Sequence, residues 1–197
     1  MEELDYYRYG AGGVLAEEFV RGRDHTTVGL RSALWTGDGW RSAASFSRRV
    51  RTDPAVLAAV TPTDRAGAGA ALRKLGGGPL PDEATLRDQF GGYEAFAVVP
   101  PLRLGPAEPP DGFHERRIYR VLFAKELTVD RFEGHREAGD DRFAWTLRRV
   151  GNGIAWALDV TVLLAAGADH TVRPMLRELT SAVRKQGLIP VLTERFA

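Results

Sequence analysis

Four histidines, His25, His114, His135 and His170, are the side chains of this chain best suited to proton transfer or metal ligation near neutral pH. No two of them stand at the i, i+4 interval that places a pair of ligands on one face of a zinc-binding helix. The nearest constellation is Glu133, His135 and Glu137, where a period of two aligns the three side chains on one face of a strand. A histidine between carboxylates can ligate zinc or iron. The same pattern also describes a solvated edge strand running into a turn at Gly139-Asp140-Asp141, and this is the expectation. No metal and no cofactor is expected.

A second set of polar residues lies on the stretch from Phe143 to Leu164. Thr146, Arg148 and Asp159 alternate with a row of aromatic and aliphatic residues and so occupy the opposite face. Asp159 stands between Leu158 and Val160, a position that requires a wet face or a paired charge. A cross-strand Arg148–Asp159 pair on an open face is the simplest account, worth ~0.2–1 kcal/mol. If that face lined a cavity, the two side chains and His135 would instead be polar anchors for a ligand. Of the four tryptophans, Trp35 is expected opposite the apolar face of its own strand. That makes it the candidate for an exposed contact residue, since tryptophan anchors are enriched at interfaces.

Other motifs carry no chemistry. Gly76-Gly77-Gly78 leads into Pro79-Leu80-Pro81 and lacks the lysine of a phosphate loop. Tyr9-Gly10-Ala11-Gly12-Gly13 follows a strand too short for a dinucleotide fold. There is no nucleophile elbow and no kinase signature. Arg48-Arg49-Val50-Arg51, Arg116-Arg117 and Arg148-Arg149 are short basic clusters that would have to converge to bind a phosphate backbone.

The chain has 197 residues and a formal net charge of +1, which argues against a dominant nucleic-acid or membrane surface. It lacks cysteine, so disulfides, thiolate nucleophiles and cysteine-bound metals are excluded. No apolar run approaches the ~20 residues that span a bilayer, and the opening MEELDYYRYG is acidic and aromatic, unlike a secretory signal. A cytoplasmic protein is expected. Lys74, Lys125 and Lys185 are the only lysines, and the arginine, alanine and glycine bias points to a high-GC genome.

The elements that position these residues follow from periodicity. Val150-Gly151-Asn152-Gly153 joins two alternating arms, and Asn-Gly suits a hairpin turn with positive φ. With either Gly151-Asn152 or Asn152-Gly153 at the turn, Phe143, Trp145 and Leu147 share a face with Ile154, Trp156, Leu158, Val160, Val162 and Leu164. A second hairpin is expected from Thr27–Trp35 and Trp40–Val50 through a three-residue Gly37-Asp38-Gly39 loop, which would gather Val28, Leu30, Leu34, Trp40 and Phe46 on one face. Short strands are expected at Tyr6–Tyr9 and Gly13–Val20, and helices from Thr61–Asp64 to about Leu75 and from Pro81 to Phe90. A strand Tyr93–Leu104, ended by Pro100-Pro101, precedes a Pro-rich loop, a strand Arg117–Leu127 and a short strand near Val129–His135. Pro174 lacks an N–H and must lie in the first turn of the last helix, whose buried stripe is Val172, Met175, Leu176, Leu179 and Val183. Gly187 ends it before a strand Leu188–Phe196.

The expected fold is α+β: an antiparallel sheet of hairpins covered by a long C-terminal helix in residues 92–197, with a smaller half of hairpin and helices in residues 1–91. That first half is expected to dock on the sheet of the second and not to fold alone. The functional expectation is a non-catalytic binding module acting through protein–protein contact, as an accessory, adaptor or immunity-type protein. Its candidate binding residues are Trp35, His135, Arg148 and Asp159. The alternative is a small-molecule-binding protein or enzyme with its site between the sheet and the C-terminal helix.

Overall fold

The computed structural model describes residues 3–10, 12–97, 105, 106, 108–126, 131–151, 153 and 155–196. The chain forms two compact units, Met1–Arg21 with Thr27–Ala97, and Gly22–Thr26 with Val98–Ala197. Both are α+β with antiparallel sheets, which together hold eleven strands and five helices among the described residues. No helix among them is long and apolar enough to cross a membrane.

The first unit contains β1 (Asp5–Tyr9), β2 (Gly13–Arg21), β3 (Thr27–Trp35), β4 (Trp40–Ser42), α1 (Ala44–Thr52), α2 (Pro54–Ala58), β5 (Val60–Thr63), α3 (Arg65–Lys74), α4 (Glu83–Asp88) and β6 (Glu94–Ala95). Its sheet runs β4-β3-β2-β1-β5, with β6 also on β3. One face carries Tyr6, Val14, Ala16, Ala33 and Trp35 into a core with Ala68 and Leu72 of α3, Leu86 of α4, and Phe90. On the other face the buried strand residues Glu17 and Ser32 meet Ser47 and Arg51 of α1. Helices therefore cover both faces.

Several sequence expectations change here. The strand foreseen over Trp40–Val50 stops at Ser42, and α1 takes its place. The buried side of α1 is Ser47 and Val50, with Arg51 beside them, so its inward face is mostly polar and gives no apolar helical stripe to read. Trp35 pairs with Trp40 across Thr36–Gly39, a four-residue connection rather than three. With Phe46 on a helix, the single apolar face that favoured the shorter loop no longer exists. Val60–Thr63 is a strand paired with β1, and α3 starts after it where the Asp64 carboxylate accepts from Gly67 N at 2.7 Å. The expected strand from Tyr93 is reduced to the two residues of β6, which pair with β3, while Pro100, Pro101 and Leu104 lie outside the described residues.

The second unit contains β7 (Glu115–Ala124), β8 (Glu133–Ala138), β9 (Asp141–Val150), β10 (Ala155–Leu164), α5 (Val172–Lys185) and β11 (Ile189–Phe196), in sheet order β11-β7-β10-β9-β8. The β9–β10 hairpin sets Leu147 opposite Leu158, Trp145 opposite Val160 and Phe143 opposite Val162. The ladder closes at Val150 opposite Ala155; Asn152 and Ile154 lie outside the described residues. Val172, Met175, Leu176, Leu179 and Val183 of α5 join Phe143, Leu158, Val160 and Tyr119 in one core. The helix lies over β10 and β11, so it covers part of the sheet. Asp141 fastens the hairpin to the helix start, its carboxylate accepting from Ala165 N at 2.9 Å and Thr171 Oγ1 at 2.6 Å.

Candidate functional site

His135, Arg148 and Asp159 share the face of the second sheet opposite α5, as their strand parity requires. Asp159 is gripped by two guanidinium groups. Arg120 Nε donates to Oδ1 at 2.6 Å and Arg120 Nη2 to Oδ2 at 3.0 Å, while Arg148 Nε donates to Oδ2 at 2.9 Å. The expected Arg148–Asp159 pair thus exists, but its stronger half is Arg120, which sequence reasoning missed. Arg120 stands directly opposite Asp159 across the β7–β10 ladder, and that register joins segments 39 residues apart. Its guanidinium also lies 4.9 Å from the Phe196 ring centroid.

Glu133, His135 and Glu137 do align on one face of β8. Each carboxylate has an arginine partner, Arg131 for Glu133 and Arg142 for Glu137 at 3.1 Å. Among the described residues no group of three histidines and carboxylates is arranged to hold a metal ion.

Trp35 corrects the sequence reading most sharply. It does sit opposite Leu30 and Leu34 on its strand, yet it is only 6% exposed. Strand parity separates the two faces of β3 without marking either as open, and α3 and α4 pack on the face that Trp35 occupies.

The exposed aromatic of the first unit is Tyr93, 58% open to solvent. It borders a groove of about 490 Å³ lined by Leu34, Arg41, Ser42, Phe46 and Glu94 among others. Ser42 Oγ donates to the Phe90 carbonyl, and Arg48 pairs with Glu94, which fixes the two walls. The Tyr93 ring rests on the backbone of β3 because residue 29 is glycine. A β-carbon there would fall 2.8 Å from Tyr93 Cε2 and 2.9 Å from the Glu94 carbonyl. Gly29→Ala is therefore expected to unseat Tyr93 and β6 and to lower stability by about 1–3 kcal/mol. Thermal unfolding of the variant beside the native chain checks this. The sequence held no signal for Tyr93, which looked like the first residue of a strand.

A charged chain occupies one end of the second unit. Arg117 Nη1 donates to Asp169 at 2.6 Å and Nη2 to Glu115 at 2.7 Å, and Arg195 Nη2 donates to Glu115 at 2.6 Å. His25 Nε2 lies 3.2 Å from Asp169 Oδ2. Hydrogen bonds from Arg117 hold the Glu115 and Asp169 carboxyls below the ordinary carboxylate range. At Asp24 burial opposes ionisation, and the hydrogen bonds from the Thr26 hydroxyl and amide outweigh it. A carboxyl with a lowered folded pKa adds stability above its unfolded value and loses it as pH falls through the folded one. Stability is thus expected to hold from ~pH 7 to ~pH 5 and to fall below ~pH 4. Urea midpoints measured against pH check this, and Glu115→Gln should shrink the acid loss.

No protein-family model, no curated protein and no solved structure matches this chain.

Proposed function

We propose that this protein is a non-catalytic binding module that acts through protein–protein contact, with Tyr93 as its anchor. The observation that carries this reading is an aromatic side chain 58% exposed at the lip of a groove, seated on glycine backbone. Tyrosine offers a large amphipathic surface with little conformational entropy to lose, which is why it recurs at interface hot spots. The groove beside it supplies the hydroxyl of Ser42 and the guanidinium of Arg41 next to the apolar Leu34 and Phe46. A partner side chain entering there would meet apolar and polar groups side by side, as at the centre and edge of a contact patch. Arg148 and Asp159 satisfy one another together with Arg120, which suits a structural role on the second sheet better than a ligand-binding one.

The test is capture of partners by the tagged chain from lysate of its source organism, with Tyr93→Ala run in parallel. Tyr93→Ala is expected to remain folded, at a stability cost no larger than that of Gly29→Ala, and to weaken capture by about 30-fold or more, the effect of losing a hot spot of at least ~2 kcal/mol. A partner retained equally by both forms would sink the assignment to Tyr93. Recovery of the chain alone would favour a small ligand in the same groove, whose volume falls within the ~300–1,000 Å³ of small-molecule sites.

A further inference from the structure

We propose that the open edge of β8 is a self-association surface, on which a second copy of this chain adds its own β8 antiparallel, about a two-fold axis at Gly134. Among the described residues β8 ends its sheet and pairs with β9 alone. Leu147 N donates to the Phe132 carbonyl at 2.8 Å, in register with the ladder. That bond fixes the alternation. Gly134 and Arg136 turn their backbone groups towards β9, and Glu133, His135 and Glu137 turn theirs outward. The side chains of these last three residues are exposed. Among the described residues no other element reaches their outward N–H and C=O groups. Such a row is a template for one more strand.

Charged residues blunt a strand edge when pairing would set like charges against each other. The order of charges on β8 leaves one register in which it does not. Strand parity keeps facing side chains on a common side of the joined sheet only when a residue lies on the two-fold axis. With His135 on the axis, Glu133 would face the second copy's Glu137. With Arg136 there, two arginines would face each other. With Gly134 there, Glu133 faces the second copy's His135, Arg131 faces its Glu137, and glycine meets glycine at the closest approach of the strands. Glu133 and His135 of the two copies then exchange about four backbone hydrogen bonds. Within one chain Glu133 holds Arg131 and Glu137 holds Arg142, all with exposed side chains. Exposed pairs of this kind contribute little and can yield to partners across the edge.

Sedimentation equilibrium of the full chain, up to about 1 mM, tests the pairing. The native chain is expected to show a reversible monomer–dimer equilibrium with Kd on the order of 100 μM, as suits a small polar contact. A monomer at every concentration overturns the proposal. Gly134 itself is a poor probe, because a β-carbon there would fall 2.7 Å from Trp145 Cζ2. His135→Pro removes an outward N–H and no bond to β9, and should weaken the dimer by at least about ten-fold. His135→Glu sets two carboxylates against each other across the edge and should weaken it by a similar factor. Adding Glu133→Lys to His135→Glu restores opposite charges and should return Kd to within about three-fold of the native value. A dimer indifferent to His135→Glu, or a double variant no tighter than His135→Glu, overturns the proposal. If circular dichroism shows that proline unfolds the chain, the glutamate and lysine variants decide alone.

Discussion

Arg51→Ala is expected to cost the first unit about 3–5 kcal/mol, the range seen when one partner of a buried ion pair is removed. Arg51 and Glu17 are 3% and 0% exposed at their side chains. Arg51 Nη1 donates to Glu17 Oε2 at 3.2 Å and to the Ser47 carbonyl at 2.8 Å, and its guanidinium carbon lies 5.1 Å from the Phe19 ring centroid. Burial opposes the Arg51 charge, but Glu17 outweighs it, with Tyr7 and Asp5 adding, so the guanidinium pKa lies above the ordinary arginine value. Without Arg51 the Glu17 carboxylate would be left enclosed by sheet and helix with no guanidinium to pair with. Replacing both residues by methionine removes the stranded charge along with the pair, and should recover most of the loss. Equilibrium denaturation of the single and double variants decides the matter: equal losses would mean that packing, and not the charge, sets the cost.

Phe143→Ala is expected to destabilise the second unit by about 3–5 kcal/mol, the cost of emptying a phenylalanine site in a packed core. Phe143 is fully enclosed between the sheet and α5, opposite Val162. Its chain neighbour Ala144 points to the other face and is exposed. Ala144→Ser should therefore change stability by less than about 0.5 kcal/mol. Denaturant titration of the two variants reads the contrast directly, and comparable losses at both positions would contradict a sheet buried on one side at this hairpin.

The β9–β10 hairpin and α5 are legible in the sequence because each buries one side. Alternation at period two then marks the inner row Phe143, Trp145 and Leu147 against Leu158, Val160 and Val162, and the Asn-Gly pair limits where the chain can reverse. Pro174 constrains the helix start by its missing N–H, and the stripe from Val172 to Val183 follows the 3.6-residue period. In the first unit the same reasoning misplaces Trp35, because alternation distinguishes the two faces of a strand but does not reveal that helices cover both. It turns α1 into a strand because the helix meets its sheet through Ser47 and Arg51, polar residues that hydropathy counts as solvent-facing.

The chain by itself therefore determined the local elements whose periodic pattern or backbone chemistry admits one solution. The Arg148–Asp159 pair across the hairpin was legible too, but only the tertiary structure decided which groups meet between segments that no hairpin turn joins. Arg120 with Asp159, Arg51 with Glu17, His25 with Asp169 and Tyr93 on Gly29 all join residues distant in sequence. Their pairing depends on strand register and loop placement, which the whole fold sets and no local period encodes.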